Sequence, residues 1–467
     1  MTVADAPIVT AAAMRAAEEA VFRSGVSQDE AMERAGAAVA REAARFALGR
    51  PILILAGPGN NGGDAYVAAR LLKASGHDVV LVATGAPKPG AAERMQAQWH
   101  GPTSSLYAAR PRPVLIDGLF GTGLVRPLER GLAAVFADLV AQAEFALAID
   151  MPSGIDSDTG ADLGAPRGID LTVALGALKP GHLLDCGLER CGKVVLADIG
   201  IPVDTRWRTV ARPSLERPGQ HSHKYSRGLV AVIEGAMPGA ARLAARAAMA
   251  GGAGYVVLAG TEPWSGGPDA LVRRGIALPQ DLAEFLDWER IDAVVLGPGL
   301  GRDRRAEAFT QVALDSAKPL VVDGDALTLL GSSGAARLRT RAAPTWLTPH
   351  AGEFDRMFAG EGDKITRTLA AAADAHATIV HKGADTVIAS PKGDVRILAG
   401  ASPWLSTAGT GDVLAGLVAA QVIQGGKGVA PAAAATWLHA RAARHAGPAL
   451  IADDLIPHIP EAIDECL

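Results

Sequence analysis

The chain predicts an α/β protein of two domains, each a sheet of buried strands with helices on both faces. Three observations carry this. Short, fully apolar runs recur along the sequence, as expected of parallel strands covered on two sides. Alanine-rich helical patterns lie between them, and that alternation is the signature of a parallel sheet. The pattern lapses once, over residues 202–223, where Pro202, Pro213, Pro218 and several charges replace any apolar period. A chain of 467 residues is too long for one ordinary core, so the lapse reads as a linker. The expected organisation is a first domain at 1–212, a linker at 213–222 and a second domain at 223–467.

Composition narrows the function classes. With 49% hydrophobic and 20% charged residues the chain has a soluble globular composition. A net charge of −5 without a long basic run argues against nucleic acid as the main partner. Residues 1–25 have no basic segment ahead of an apolar core, and Arg15, Glu18 and Glu19 interrupt the alanines. They read as an amphipathic helix rather than a signal peptide. No run of about 18 uninterrupted apolar residues occurs, so no membrane span is expected. Cys186, Cys191 and Cys466 suit a reducing compartment, the cytoplasm, and the C-x4-C spacing without a second pair does not make a zinc site.

In order, residues 10–48 give two helices, the second starting at Ser27-Gln28-Asp29-Glu30. Apolar strands follow at 51–56, 79–82, 114–116, 145–149, 171–175 and 194–196, with helical patterns at 65–74 and 132–142. After the linker, strands are expected at 229–233, 255–258, 293–296, 320–322, 378–380 and 387–389. Helices are expected at 240–250, 413–421 and 432–446.

Directly after the first strand comes Gly57-Pro58-Gly59-Asn60-Asn61-Gly62-Gly63-Asp64, then a helix. Gly57, Gly59 and Gly62 satisfy G-x-G-x-x-G in the strand–loop–helix setting of a dinucleotide site. A nicotinamide oxidoreductase fails one check: the second strand ends in Val82-Ala83-Thr84, where an acid should hold the ribose. Phosphate cradling survives; hydride transfer does not. Two further strands end in acids, at Asp117-Gly118-Leu119-Phe120-Gly121-Thr122-Gly123 and at Asp150-Met151-Pro152-Ser153-Gly154. Ligands of an open parallel sheet gather beyond the carboxyl ends of its strands, so these groups should share one rim. Amide and hydroxyl oxygens with few charges suit a hard cation of low charge.

These three motifs together resemble the NAD(P)HX epimerase domain, over roughly residues 1–212. The resemblance implies a Rossmann-like fold and interconversion of the epimers of hydrated NADH and NADPH. It implies a potassium ion held by Asn61, Asp117 and Ser153. It implies substrate contacts from Asn60, Asn61, Gly62, Gly63 and Asp64, from Gly121, Thr122, Gly123, Leu124, Val125, Arg126 and Pro127, and from Asp150. Ala65 stands where the family usually has a further glycine. Epimerisation needs proton transfer; Asp117 is the candidate and Asp64 the rival.

The C-terminal half is organised around Ser406-Thr407-Ala408-Gly409-Thr410-Gly411-Asp412, followed by an apolar helical run. A glycine loop opening a helix presents unpaired N–H groups to an anion. Asp412 stands in that first turn, where the helix dipole should lower its pKa and keep it ionised at neutral pH. Gly252-Ala253-Gly254, Gly297-Pro298-Gly299-Leu300-Gly301, Asp323-Gly324-Asp325, Leu347-Thr348-Pro349-His350-Ala351-Gly352-Glu353 and His381-Lys382-Gly383-Ala384-Asp385-Thr386 each follow or join an apolar strand.

Together they resemble the ribokinase-like enzymes, and within them the ADP-dependent NAD(P)H-hydrate dehydratase, over roughly residues 222–467. The resemblance implies hydrate contacts from Ala253, Gly299, Gly301, His350 and Asp412. It implies nucleotide contacts from Lys382, Gly383, Ala384, Asp385, Thr386, Gly409 and Gly411. Gly324 replaces the more usual alanine between two acids. Hydroxide is a poor leaving group, and phosphorylating it first makes it a good one. Asp412 would take the hydroxyl proton as the terminal phosphoryl of ADP arrives, with amides of 409–412 stabilising the charge. Magnesium should bridge the phosphates, with Glu353 holding it through water. The expected partners are hydrated NADH or NADPH and ADP, in a homo-oligomer. The alternatives are a ribokinase-like kinase phosphorylating a small-molecule hydroxyl and releasing the ester, or a nucleotide-sensing protein with inactive sites. The first has no use for the N-terminal domain, and intact Asn61, Asp117, Gly411 and Asp412 argue against the second.

Overall fold

Parallel neighbours cannot be joined by a tight turn, so each crossover here is a long connection and most carry a helix. The computed structural model describes residues 3–261 and 267–467. It divides into one unit ending at Thr209 and a second, Val210–Leu467.

In the first unit, helices Ala11–Arg23 and Gln28–Ala47 precede the sheet. Ser27 caps the second, accepting a hydrogen bond from the Glu30 N–H. The strands are β1 (Ile52–Ala56), β2 (Val79–Ala83), β3 (Thr103–Ser105), β4 (Val114–Gly118), β5 (Phe145–Ile149), β6 (Leu171–Leu175) and β7 (Lys193–Ala197). They lie in the order β3-β2-β1-β4-β5-β6-β7, all parallel. The two-residue period splits each strand between two cores. Ile52, Ile54 and Ala56 join Val39 and Val67 on one face, while Leu53 and Leu55 join Phe136 and Leu139 on the other. Because β1 lies between β2 and β4, the connections leave it in opposite directions. A crevice is left at its carboxyl end. A short strand, β8 (Trp207–Thr209), bridges back to Pro7 through Arg208.

The second unit contributes β9 (Leu229–Ile233), β10 (Tyr255–Gly260), β11 (Val272–Gly275), β12 (Ala293–Leu296), β13 (Leu320–Val322), β14 (Thr345–Leu347), β15 (Thr378–His381), β16 (Asp385–Ala389) and β17 (Val395–Ala399). These run β11-β10-β9-β12-β13-β14-β15-β16-β17. Pairing is parallel as far as β15 and antiparallel from β15 to β17. Its crevice lies at β9, between β10 and β12. Helices Pro238–Ala250, Thr410–Val422, Val429–Ala446 and Ala452–Asp464 share one core with a sheet face. Small residues let two of them nearly touch: a Cβ on Gly416 would sit 2.1 Å from the Ala244 carbonyl oxygen.

Several strands escape the sequence reading. β3 (Thr-Ser-Ser) and β11 (Val-Arg-Arg-Gly) are edge strands with no apolar run to show. The stretch read as a linker is not structureless throughout, since it contains β8. Residues 210–222 have neither helix nor strand, yet Leu215 packs on the core of the second unit and donates to the Cys466 carbonyl. No helix among the described residues is long and apolar enough to cross a membrane.

Gly416→Ala should force two helices apart and destabilise the second unit by about 2 kcal/mol. That lowers its melting temperature by about 5 °C in calorimetry. Gly239→Ala, helical and with open space around it, should be neutral or slightly stabilising.

Candidate functional sites

The loop after β1 is tight because two of its glycines are pressed against backbone. A Cβ on Gly57 would lie 1.8 Å from the Leu119 carbonyl oxygen, and one on Gly62 would lie 1.8 Å from that of Gly57. The helix begins at once, at Asn60, and runs to Ala74; Gly59 is its N-cap and no side chain caps it. Asn60, Asn61, Gly62, Gly63 and Asp64 therefore form its opening turn rather than a loop ahead of it. The first amides are left for a ligand.

Asp117, within β4, is fully buried. Its Oδ1 accepts from Leu119 N–H (3.1 Å) and Ser153 Oγ (2.7 Å), and its Oδ2 accepts from Ser153 N–H (2.8 Å). Burial pushes its pKa up to about 6, against the pull of those bonds. Both oxygens are engaged, so Asp117 is built to hold Ser153 and the loop after β4. Ser153 Oγ also accepts from Phe120 N–H at 2.9 Å. Asn61 is buried beside this loop: a Cβ on Gly121 would come 3.1 Å from its Oδ1, and its Nδ2 has no partner. Carboxylate, hydroxyl and amide oxygens with one negative charge fit a hard monovalent cation, while the unpartnered amide N–H of Asn61 is a donor left for an acceptor. After β4, Gly121, Thr122, Gly123, Leu124, Val125, Arg126 and Pro127 form a loop. Leu124 is tucked in, while Val125, Arg126 and Pro127 are exposed.

A group missed in the sequence completes this corner. Lys179 follows β6 and is buried, with its ammonium 2.6 Å from Asp150 Oδ1. Burial, then the charges of Asp150 and Glu18, push the Asp64 carboxyl well above the usual range, with Lys179 opposing. Glu18, also raised by burial, belongs to the same cluster. Lys179 could have been found as Asp117 and Asp150 were, since it stands just beyond an apolar strand. Glu18 gave no signal, lying on a separate amphipathic helix.

In the second unit, helix Thr410–Val422 opens at Gly409, whose φ of +88° only glycine adopts easily. Gly411 is helical, so its value lies in size: a Cβ there would come 3.2 Å from Lys382 Nζ. Lys382 reaches Asp323 Oδ1 at 2.8 Å, and Thr348 Oγ1 donates to the same oxygen at 2.7 Å. Burial acts to lower the lysine's pKa, but the Asp323 carboxylate outweighs it and the net shift is upward. Asp412 is raised to about 7, by burial first and then by Asp323, with Lys382 opposing. The expectation of a dipole-lowered, fully ionised Asp412 is thus overturned. An exposed helix terminus offers roughly 0.3–1 kcal/mol, under one pKa unit, whereas burial shifts a carboxyl by several.

Asp325 fixes the glycine loop after β12, accepting from Gly301 N–H (2.9 Å) and Arg302 Nε (2.8 Å). Gly299 accepts from Met237 N–H at 2.8 Å and has φ +60°. His350 caps helix Ala351–Met357: Nδ1 accepts from Gly352 and Glu353 N–H while Glu353 Oε2 accepts from the His350 N–H. Lys382, Gly383 and Ala384 join β15 to antiparallel β16, which starts at Asp385 and Thr386. The motif splits there, for Asp385 pairs with Lys364 while Lys382 turns to Asp323. Ala253 is not brought to this edge. It lies between helix Pro238–Ala250 and the start of β10, at the amino ends of the strands. The acids follow the carboxyl ends, a strand of six residues or roughly 20 Å away.

The family model described as NAD(P)H-hydrate dehydratase matches residues 230–463, and that described as YjeF-related protein N-terminus matches residues 28–181. The bifunctional NAD(P)H-hydrate repair enzyme Nnr of Gloeobacter violaceus is 37% identical over 93% of this chain and 92% of its own. The enzyme of that name from Mycobacterium tuberculosis is 37% identical over 88% of each. The crystal structure of a ribokinase-like superfamily protein from Enterococcus faecalis is 26% identical, covering 54% of this chain and 91% of that one with a TM-score of 0.47. With identity of this order along nearly the full length of both chains, the protein belongs to the bifunctional NAD(P)H-hydrate repair enzymes.

Proposed function

We propose that the first unit interconverts the R and S epimers of hydrated NADH and NADPH, and that the second dehydrates the S epimer with ADP. The products are NADH or NADPH, AMP and phosphate. The observation that carries the reading is the group at the start of helix Thr410–Val422: an uncapped amide terminus, a half-buried carboxyl and a part-buried lysine together. Asp412 in its ionised form takes the proton of the ring hydroxyl. The freed oxygen attacks the terminal phosphoryl of ADP, and the bond to AMP breaks. Lys382 and the amides of Gly409, Thr410 and Gly411 offset charge on the transferring group. The carbon–oxygen bond then breaks with its electrons leaving on phosphate, while the neighbouring ring carbon gives up a proton.

Gly299, Gly301 and His350 border the hydrate, and Gly383, Ala384, Asp385 and Thr386 border the nucleotide. Magnesium would neutralise the phosphates. Among the described residues no three acids or histidines cluster at metal distance, so the ion would rest chiefly on phosphate oxygens, with Glu353 reaching it through water.

In the first unit, Asn61, Asp117 and Ser153 would hold potassium, which supplies fixed positive charge. Substrate would meet the opening turn at Asn60–Asp64, the loop at 121–127 and Asp150. Asp64 takes the proton-transfer role there, because Asp117 already accepts from Ser153 and Leu119 and would be tied to the cation as well.

Asp412→Asn should nearly abolish dehydration, by about a hundredfold or more, while ADP binding stays measurable by calorimetry. In the parent protein, kcat/KM for dehydration should be half-maximal near pH 7 and fall tenfold per unit below it, because the base works only when deprotonated. A flat profile from pH 5.5 to 8 would contradict the assignment. Asp64→Asn should stop epimerisation, followed by NMR of the two epimers, while dehydration of the pure S epimer continues.

A further inference from the structure

A lysine with 1% exposure survives only if its charge is answered. Lys179 Nζ donates to Asp150 Oδ1 at 2.6 Å and to the Leu175 carbonyl oxygen at 2.9 Å. Its own N–H donates to His182 Nδ1 at 2.9 Å, and His182 Nε2 lies 2.6 Å from the Asp150 carbonyl oxygen. Since Nδ1 accepts, the ring proton sits on Nε2 and is donated to Asp150. Asp150, Lys179 and His182 therefore close a buried ring in which each holds the other two.

What the ring holds is strained. Asp150 has φ +61°, a left-handed conformation that disfavours a non-glycine residue. It persists because its N–H donates to Val173, its carbonyl oxygen meets His182, and its Oδ1 takes both Lys179 and the Leu175 N–H. Among the described residues nothing bonds its Oδ2. One carboxylate oxygen is thus fully committed to the protein and the other is left for something else. Glu18 and Asp64 feel the charge of the same ammonium, while Asp150 is the acid it is bonded to.

We infer that Lys179, locked by His182, is the positioning residue of the first site. It pins one oxygen of Asp150 so that the other receives a hydrogen bond from the hydroxyl or carboxamide of the hydrated nicotinamide ring. This rests on the reading of the first unit as the epimerase. It extends that reading from a substrate contact to the device that aims it.

The test is a double-mutant cycle on the full chain with Lys179→Met and Asp150→Asn. Epimerisation is read by NMR, and dehydration of pure S epimer serves as the internal control. Each single variant should lose about a hundredfold in epimerisation, the cost typical of a misplaced group. The double variant should lose no more than either, because both act on one contact. Dehydration should not change. Losses that multiply, or a K179M protein that epimerises normally, would overturn the inference. If K179M melts the first unit, K179C carries the same decision. Treatment with 2-bromoethylamine rebuilds an ammonium on the side chain, and epimerisation should return relative to untreated K179C, with treated parent protein as control. No recovery in a folded, alkylated protein counts against the role. A parent protein that dehydrates the S epimer but never epimerises would instead remove the underlying reading.

Discussion

The part-buried ion pair between Lys382 and Asp323, 2.8 Å long, is what the second site depends on. Without the lysine, Asp323 and Asp412 would be two carboxylates near one another in a poorly solvated corner, and one of them would stay protonated. Without Asp323, the lysine would be a part-buried charge with no fixed partner. With both present, Asp412 is left with a pKa of about 7, which suits a general base at neutral pH. Gly411 is part of the same arrangement, because any side chain at that position would crowd the ammonium.

The first unit repeats the physical idea with different residues. Acids are carried to the ends of buried parallel strands, where the sheet leaves a crevice, and a lysine beyond another strand moderates their repulsion. Here the pair is Lys179 and Asp150 at 2.6 Å. Asp117 shows what happens when a carboxylate is buried with hydrogen bonds in place of a cation. Its oxygens accept from Ser153 and Leu119, which orders the loop after β4.

Much of this was legible in the sequence. Strands buried on both faces leave unbroken apolar runs, so β1, β5, β6 and β9 could be read almost to the residue. Glycines pressed against backbone, as at Gly57 and Gly62, can be nothing else, and they mark the loop after β1. What could not be read was of two kinds. Edge strands such as β3 and β11 are polar and short, and only pairing reveals them. Charge partners from distant segments, such as Lys179 with Asp150 or Lys382 with Asp323, exist only once the sheet brings strand ends together. For that reason the ionisation of Asp412 was misjudged: the local helix dipole is visible in sequence, but the burial that outweighs it is not. The edge of the sheet that Ala253 occupies is hidden for a related reason, since an isolated glycine-flanked alanine does not reveal it.

The central claim is that the ring hydroxyl leaves as phosphate and not as hydroxide. It is tested most directly by preparing the S hydrate with oxygen-18 in that hydroxyl, converting it with ADP, and locating the label by mass spectrometry. The account requires one labelled oxygen in the released inorganic phosphate. Label found in water, with unlabelled phosphate, would mean that the phosphoryl group never reached the hydroxyl and that the role given to Asp412 is wrong.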